Sequence, residues 1–213
     1  MIDPKTAALL MIDMQQGFID PASTLCVAGA AASVDACARA LEAARKLGMR
    51  ICHVNRKYAA DGSDVEAVRY GSWLAGGRVL SDSAPETLKP PASLAPKPGE
   101  EVLLKPKFSA FFGTPLHEEL QAAGIRTVVL IGTTTPNCIR STCYDALSLG
   151  YNVVIVEDAT SSRTAEVQEA NIADMAFIGA QVIPCSDFVE HGLSRLRDIE
   201  GEVRAAIAQD EQA

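Results

Sequence analysis

A chain of 213 residues that is 48% hydrophobic carries enough apolar material for one globular unit with a sizeable core. Its formal net charge of −8 argues against nucleic acid and anionic membranes as partners, because both are met by a basic face. The opening MIDPKTAALLMIDMQQGF is too short an apolar run for a membrane span. It also lacks the basic start and small-residue cleavage site of a signal peptide, so a cytoplasmic protein is expected.

In chain order, AALLMID (7–13) is an apolar run ending in an acid, the pattern of a buried parallel strand. Residues 30–47 place Val34, Cys37, Leu41, Ala44 and Leu47 at helical spacing, with Gly48 as the stop. MRICHVN (49–55) reads as a second strand. Residues 56–100 are polar and rich in Gly and Pro. They are expected to form an irregular excursion with one short helix near 64–74, of the kind that caps a site or moves. EEVLLKP (100–106) is a third strand. In TPLHEELQAAG (114–124), Thr114 is expected as N-cap, Pro115 at the first helical position and Gly124 as the end. RTVVLIG (126–132), NVVIVED (152–158) and AQVIPCS (180–186) complete six strands. Helices are expected over Cys138–Leu149, Thr164–Ile178 and Asp187–Ala208. No repeat or linker divides the chain, so residues 1–213 are read as one domain with an excursion at about 56–100.

Strands alternating with helices imply α/β architecture, a parallel sheet with helices on both faces. Ligands then bind beyond the carboxyl ends of the strands. Those ends carry Asp13, Asn55 with Arg56, Lys105, the TTTPNC turn and Asp158. The six cysteines contain no CxxC pair, which disfavours a zinc ribbon or thioredoxin-like site, and free thiols are expected. Cys37, Cys52, Cys143 and Cys185 lie in apolar patterns and read as packing. Cys138 follows the fourth strand where a helix begins. Free N–H groups and the helix dipole there favour a thiolate, and the same N–H groups could hold an oxyanion. Cys143, five residues on, is turned about 140° away.

His53, His117 and His191 do not fall at strand ends, so a Cys–His pair is disfavoured. Asp13 and Lys105 do. They are either a structural ion pair or partners of Cys138. In the second case Lys105 holds the local field positive and Asp13 carries the thiol proton. Gln15, Phe18, Asn55, Arg56, Arg69, Tyr70, Trp73, Phe108, Phe111 and Phe112 are the candidates to meet a substrate. Arg56 and Arg69 suit a carboxylate or are surface charge; Trp73 is a ligand contact or loop packing.

LLMIDMQQGFID (9–20), LLKPKFSAFFGTPL (103–116), VVLIGTTTPNCIRSTCYDALSLGYNVVIVEDAT (128–160) and VIPCSDF (182–188) together resemble the isochorismatase-like cysteine hydrolases. That family includes nicotinamidases, N-carbamoylsarcosine amidases, and ureidoacrylate and biuret amidohydrolases. The resemblance implies a three-layer sandwich around a six-stranded parallel sheet of order 3-2-1-4-5-6. It implies a catalytic triad at Asp13, Lys105 and Cys138, a non-proline cis peptide at Thr133–Thr134, and an oxyanion hole from the N–H groups of Thr134 and Cys138. It also implies a homodimer or homotetramer. The stretch HVNRKYAADGSD departs from the nicotinamidase pattern: Arg56 and Tyr58 stand where an Asp-x-His metal motif would be. No metal and no cofactor are therefore expected, and a pyridine amide substrate is disfavoured. The expected activity is metal-independent hydrolysis of a C–N amide or ureido bond in a small molecule, through a thioester. The alternatives are an isochorismatase-type vinyl ether hydrolase, in which Cys138 is dispensable, and a non-enzymatic thiol sensor.

Overall fold

The computed structural model describes residues 1–210; the last three residues of the expected domain and nothing else of it lie outside the described residues. Six strands form one parallel sheet: β1 (Ala7–Ile12), β2 (Arg50–Arg56), β3 (Glu101–Lys105), β4 (Thr127–Thr133), β5 (Asn152–Ser161) and β6 (Gln181–Ile183). Their order is β3-β2-β1-β4-β5-β6, as the resemblance implied. The chain reverses direction across the sheet between β1 and β4, and a switch of this kind opens a crevice at the carboxyl ends.

Both central strands, β1 and β4, are buried along their whole length, which is why they read as unbroken apolar runs. The period of two divides their side chains between two cores. Leu9, Met11, Val129, Ile131, Val154 and Val156 join Cys37 and Leu41 of α2 (Ala30–Lys46) and Phe188 of α7 (Cys185–His191). Ala8, Leu10, Ile12, Val128, Leu130 and Ile155 face the other way. They meet Leu116 and Leu120 of α4 (Leu116–Ala122), Cys143 of α5 (Arg140–Ser148) and Met175 of α6 (Ala165–Phe177).

The excursion builds a third, smaller core. Tyr58, Val65, Val79, Leu80 and Trp73 of α3 (Ala67–Ala75) close over Phe18 of the single-turn α1 (Gln16–Ile19). Val65, Val79 and Leu80 are thereby covered within their own chain. Val68 and Leu74 remain 87% and 48% exposed.

Several boundaries differ from expectation. β5 runs three residues past Asp158, so Asp158 is not a strand end, and β6 stops at Ile183 with α7 beginning at Cys185. The terminal helix is two helices, α7 and α8 (Ile199–Asp210). Gly192 breaks it by taking a positive φ of 58°, and Asp198 restarts it by accepting from the Gly201 N–H at 3.0 Å. Helix α4 starts one residue late: Pro115 precedes it, and Thr114 Oγ1 accepts from Leu116 N–H at 3.4 Å. The segment expected to be α-helical from Cys138 opens instead as a wide π-type turn over Thr135–Ile139, and α5 begins at Arg140.

β1 and β4 run in register from Ala7 opposite Thr127 to Ile12 opposite Gly132. Gly132 has φ 112°, and a Cβ there would run into the Ile12 carbonyl oxygen. No side chain fits without parting the two strands that set Asp13 against Cys138. Gly132→Ala is expected to destabilise the protein by roughly 3 kcal/mol or more, combining overpacking with a forbidden φ. A urea midpoint unchanged from wild type would contradict this contact.

Candidate active site

Four neighbouring strands, β3, β2, β1 and β4, each end on a residue of one cluster. Asp13 follows β1, Arg56 ends β2, Lys105 ends β3, and Cys138 lies in the turn after β4. Arg56 and Lys105 are direct partners in the ladder. Asp13 leaves its strand with φ 54°, a conformation that Asp tolerates better than most residues. Its N–H donates to Val54 O at 2.8 Å, and its own carbonyl accepts from Gln15 N–H at 2.8 Å. This sharp turn carries the carboxylate across the strand ends.

The Lys105 ammonium makes three contacts: Asp13 Oδ2 at 2.8 Å, the Lys107 carbonyl at 3.1 Å and Cys138 Sγ at 3.5 Å. Asp13, Lys105 and Cys138 are at most 1% exposed. Asp13 Oδ1 is buried with no hydrogen-bond partner among the described residues. So one carboxylate oxygen is held by the ammonium while the other is open. A buried ion pair of this kind is weak evidence for stability, since desolvation offsets most of the attraction.

The surroundings of the Cys138 thiol act on it in opposite directions. Burial pushes it above its ordinary value, the Lys105 ammonium pulls it back, and the Asp13 carboxylate raises it again. A thiol pushed up in this way calls for a neighbouring base to form the nucleophile. Because the Lys105 charge is the largest of the electrostatic influences on the sulfur, ahead of Asp13 and Arg56, Lys105→Met is expected to move the thiol further up. The pH midpoint of Cys138 alkylation, followed by peptide mass mapping, should rise. An unchanged midpoint would separate Lys105 from the sulfur. The half-buried Cys26 is the most accessible of the six thiols, so Cys26→Ser is the background for this measurement.

The peptide between Thr133 and Thr134 is cis, as the resemblance implied. The Thr134 carbonyl accepts from Asn137 N–H at 3.1 Å and Ile139 N–H at 3.3 Å, so its peptide heads the Cys138 turn. Thr135 Oγ1 donates to Ser161 O at 3.0 Å, and Thr142 Oγ1 donates to Cys138 O at 2.7 Å. The turn is therefore tied at both ends.

Around this centre, Arg56 is fully buried. Its Nη1 donates to Glu66 Oε1 at 2.6 Å and Pro106 O at 2.7 Å. Its guanidinium lies 5.2 Å from the Tyr58 ring centroid and 5.6 Å from that of Phe108. Arg69, from α3, lies 5.0 Å from the Phe108 centroid and 5.8 Å from that of Phe18, and donates to Tyr58 Oη at 3.2 Å. Burial pushes the Tyr58 hydroxyl up to about 12; it donates to Glu66 Oε2 at 2.8 Å.

The remaining expected contacts are placed differently. Gln15 is buried, but its amide is spent on backbone: Nε2 donates to Arg56 O and Leu88 O, and Oε1 accepts from Arg56 N–H at 2.7 Å. It clasps β2 and the excursion to the β1 end. Trp73 is fully buried in the excursion core, edge-on to Tyr58 at 6.3 Å. Phe111 stacks on Tyr151, before the amino end of β5 and thus toward the edge of the sheet opposite the cluster. Phe112 and Tyr70 are exposed. Asn55 follows Ile51 and His53 to the sheet face opposite Val54 and Arg56, by the alternation of the strand. Glu66 was not among the expected residues. Its partners are Arg56 and Tyr58, outside its own helix, so no local spacing signalled it.

All three histidines are engaged elsewhere: His53 with Glu100, His117 with Tyr151, His191 with Glu190. Among the described residues no group of three or more His, Cys, Asp or Glu side chains is arranged to hold a metal ion. The guanidinium of Arg56, the last residue of β2, bears its positive charge on Cys138. No described helix is long and apolar enough to cross a membrane.

A parallel sheet of this order brings a thiol, a carboxylate and an ammonium together at its switch point. The Isochorismatase domain model matches residues 7–187, and the chain belongs to the isochorismatase-like hydrolase family. It is 37% identical over 181 residues to an Arabidopsis thaliana protein named a probable inactive nicotinamidase, covering 83% of this chain and 91% of that one. It is 34% identical over 202 residues to maleamate amidohydrolase of Pseudomonas putida, covering 91% and 88%. The crystal structure of an isochorismatase family protein from Desulfovibrio vulgaris superposes with a TM-score of 0.82 at 43% identity, covering 86% and 96%.

Proposed function

We propose that the protein is a metal-independent amidohydrolase that cleaves a C–N amide or ureido bond of a small molecule through a thioester on Cys138. The observation that carries this reading is the division of labour on Asp13: Lys105 holds Oδ2, while Oδ1 is free beside a thiol that burial keeps protonated. Asp13 Oδ1 takes the Cys138 proton as the sulfur attacks the carbonyl carbon. The oxyanion rests on the N–H groups of Thr134 and Cys138. Collapse breaks the C–N bond, and Asp13 returns its proton to the departing amine or ammonia. Water, deprotonated by Asp13, then attacks the thioester; the acid leaves and the proton returns to sulfur. Lys105 orients the carboxylate and steadies the transient thiolate. In this reading residues 1–213 act as one hydrolase domain whose excursion closes the site.

A release assay for ammonia or amine against small amides, ureides and carbamoyl compounds tests the reading. Turnover of at least one member is expected, and no release from any member contradicts it. Exhaustive treatment with EDTA or phenanthroline should leave that turnover intact, because a buried guanidinium, not a ligand set, follows β2. Loss on chelation with recovery on adding zinc or iron would contradict metal independence.

A further inference from the structure

The charges enclosed with the sulfur do not balance. Lys105, Arg56 and Arg69 are cations; Asp13 and Glu66 are carboxylates. Lys105 pairs with Asp13 and Arg56 with Glu66. The described hydrogen bond of the Arg69 guanidinium is to the Tyr58 hydroxyl, which burial keeps neutral. One positive charge is therefore left over beside the buried Arg56 and Lys105, on the partly exposed Arg69, and a partly desolvated charge favours a partner.

The free donors point to what completes it. Arg56 Nε and Nη2 are buried without hydrogen-bond partners among the described residues, while Nη1 is fully occupied. Nε and Nη2 together form one edge of the guanidinium. The same edge grips a carboxylate elsewhere in this chain. Arg45 uses Nε and Nη2 on Glu100 at 2.7 and 2.9 Å, and Arg50 uses Nε and Nη2 on Glu101 at 3.1 and 2.8 Å. At Arg56 that edge faces no carboxylate of the protein. Phe108 lies under both Arg56 and Arg69, so the two guanidinium groups flank one aromatic ring. Their charges both bear on Cys138.

We infer that the substrate is a monoanionic amide or ureide, whose carboxylate takes the free Nε/Nη2 edge of Arg56 beside Arg69 while its amide carbonyl meets Cys138. A carboxylate matches the planar fork of the guanidinium and supplies the missing negative charge. An uncharged amide leaves both the edge and the charge unmet, so discrimination comes from the unpaired donors as much as from attraction. The inference rests on the amidohydrolase reading, and its test is separable from it.

The test is binding to Cys138→Ala protein, which needs no turnover, by calorimetry. The probes are malonamate, succinamate and N-carbamoylglycine, each against its uncharged counterpart malonamide, succinamide or N-carbamoylglycinamide. At least one monoanion should bind about tenfold or more tightly than its neutral partner. Arg69→Gln in the same background should collapse that ratio toward one, and Arg69→Lys, which restores the charge, should recover part of it. Equal affinity within every pair, binding by no monoanion, or a ratio unmoved by Arg69→Gln overturns the inference. Wild-type hydrolysis of neutral and anionic partners at equal kcat/KM overturns it too and leaves the amidohydrolase reading standing. Charge-selective binding without hydrolysis of any probe removes that reading and keeps the anion-binding edge.

Discussion

Cys138→Ala should abolish amide turnover while leaving the fold in place. Loss of a nucleophile that acts as part of a unit costs on the order of 10⁴–10⁶-fold in kcat. The structural cost is small, because the change removes one sulfur atom from a buried position and leaves the Lys105–Asp13 pair, 2.8 Å apart, intact. A destabilisation near 1 kcal/mol corresponds to about 2–4 °C in Tm for a chain of this size. Residual activity within about tenfold of wild type would remove the thioester and favour a reaction in which Asp13 acts alone.

Asp13→Asn should lose both activity and stability. The amide keeps the shape of the side chain but cannot accept the thiol proton, and a positioned general base contributes about 10²–10⁴-fold. Lys105, at most 1% exposed, is then left as a buried cation with no counterion. Removing one member of such a pair costs about 3 kcal/mol, equivalent to roughly 6–12 °C in Tm. The contrast between the two variants is the informative part: sulfur removal lowers mainly rate, with a small change in Tm, while carboxylate removal lowers rate and Tm together. An Asp13→Asn protein with wild-type Tm would mean that Lys105 finds its partner elsewhere.

Much of this arrangement was legible in the sequence because charge is conspicuous where it interrupts an apolar run. Asp13 ends AALLMI and Lys105 ends EVLL, and both lie at strand ends in the structure. The sheet itself was legible from the alternation of strands and helices. Which core each side chain enters was not. Leu9 and Leu10 face opposite helical layers, yet both faces are dry, so hydrophobicity does not alternate along the strand. The aromatic loop after β3 has no period to read, so the neighbours Phe111 and Phe112 could not be told apart, although one is stacked on Tyr151 and the other exposed. Gln15 was legible as a residue near the strand ends but not as a clasp, since its partners are backbone atoms of Arg56 and Leu88. Glu66 pairs with Arg56 across an irregular segment, a contact that no local pattern encodes. The helix break at Gly192 was masked by good helix formers on both sides, Leu193 and Arg195 among them.

The central claim is that a protonated Cys138 gives its proton to Asp13 and becomes the acylated residue. Its most direct test is peptide mass mapping of the protein quenched in acid during turnover of an amide found in the release assay. The account predicts the mass of the acyl portion, without the amine, on the peptide that carries Cys138, and its absence in Asp13→Asn. Steady turnover with Cys138 unmodified, or the acyl mass on another residue, would contradict it.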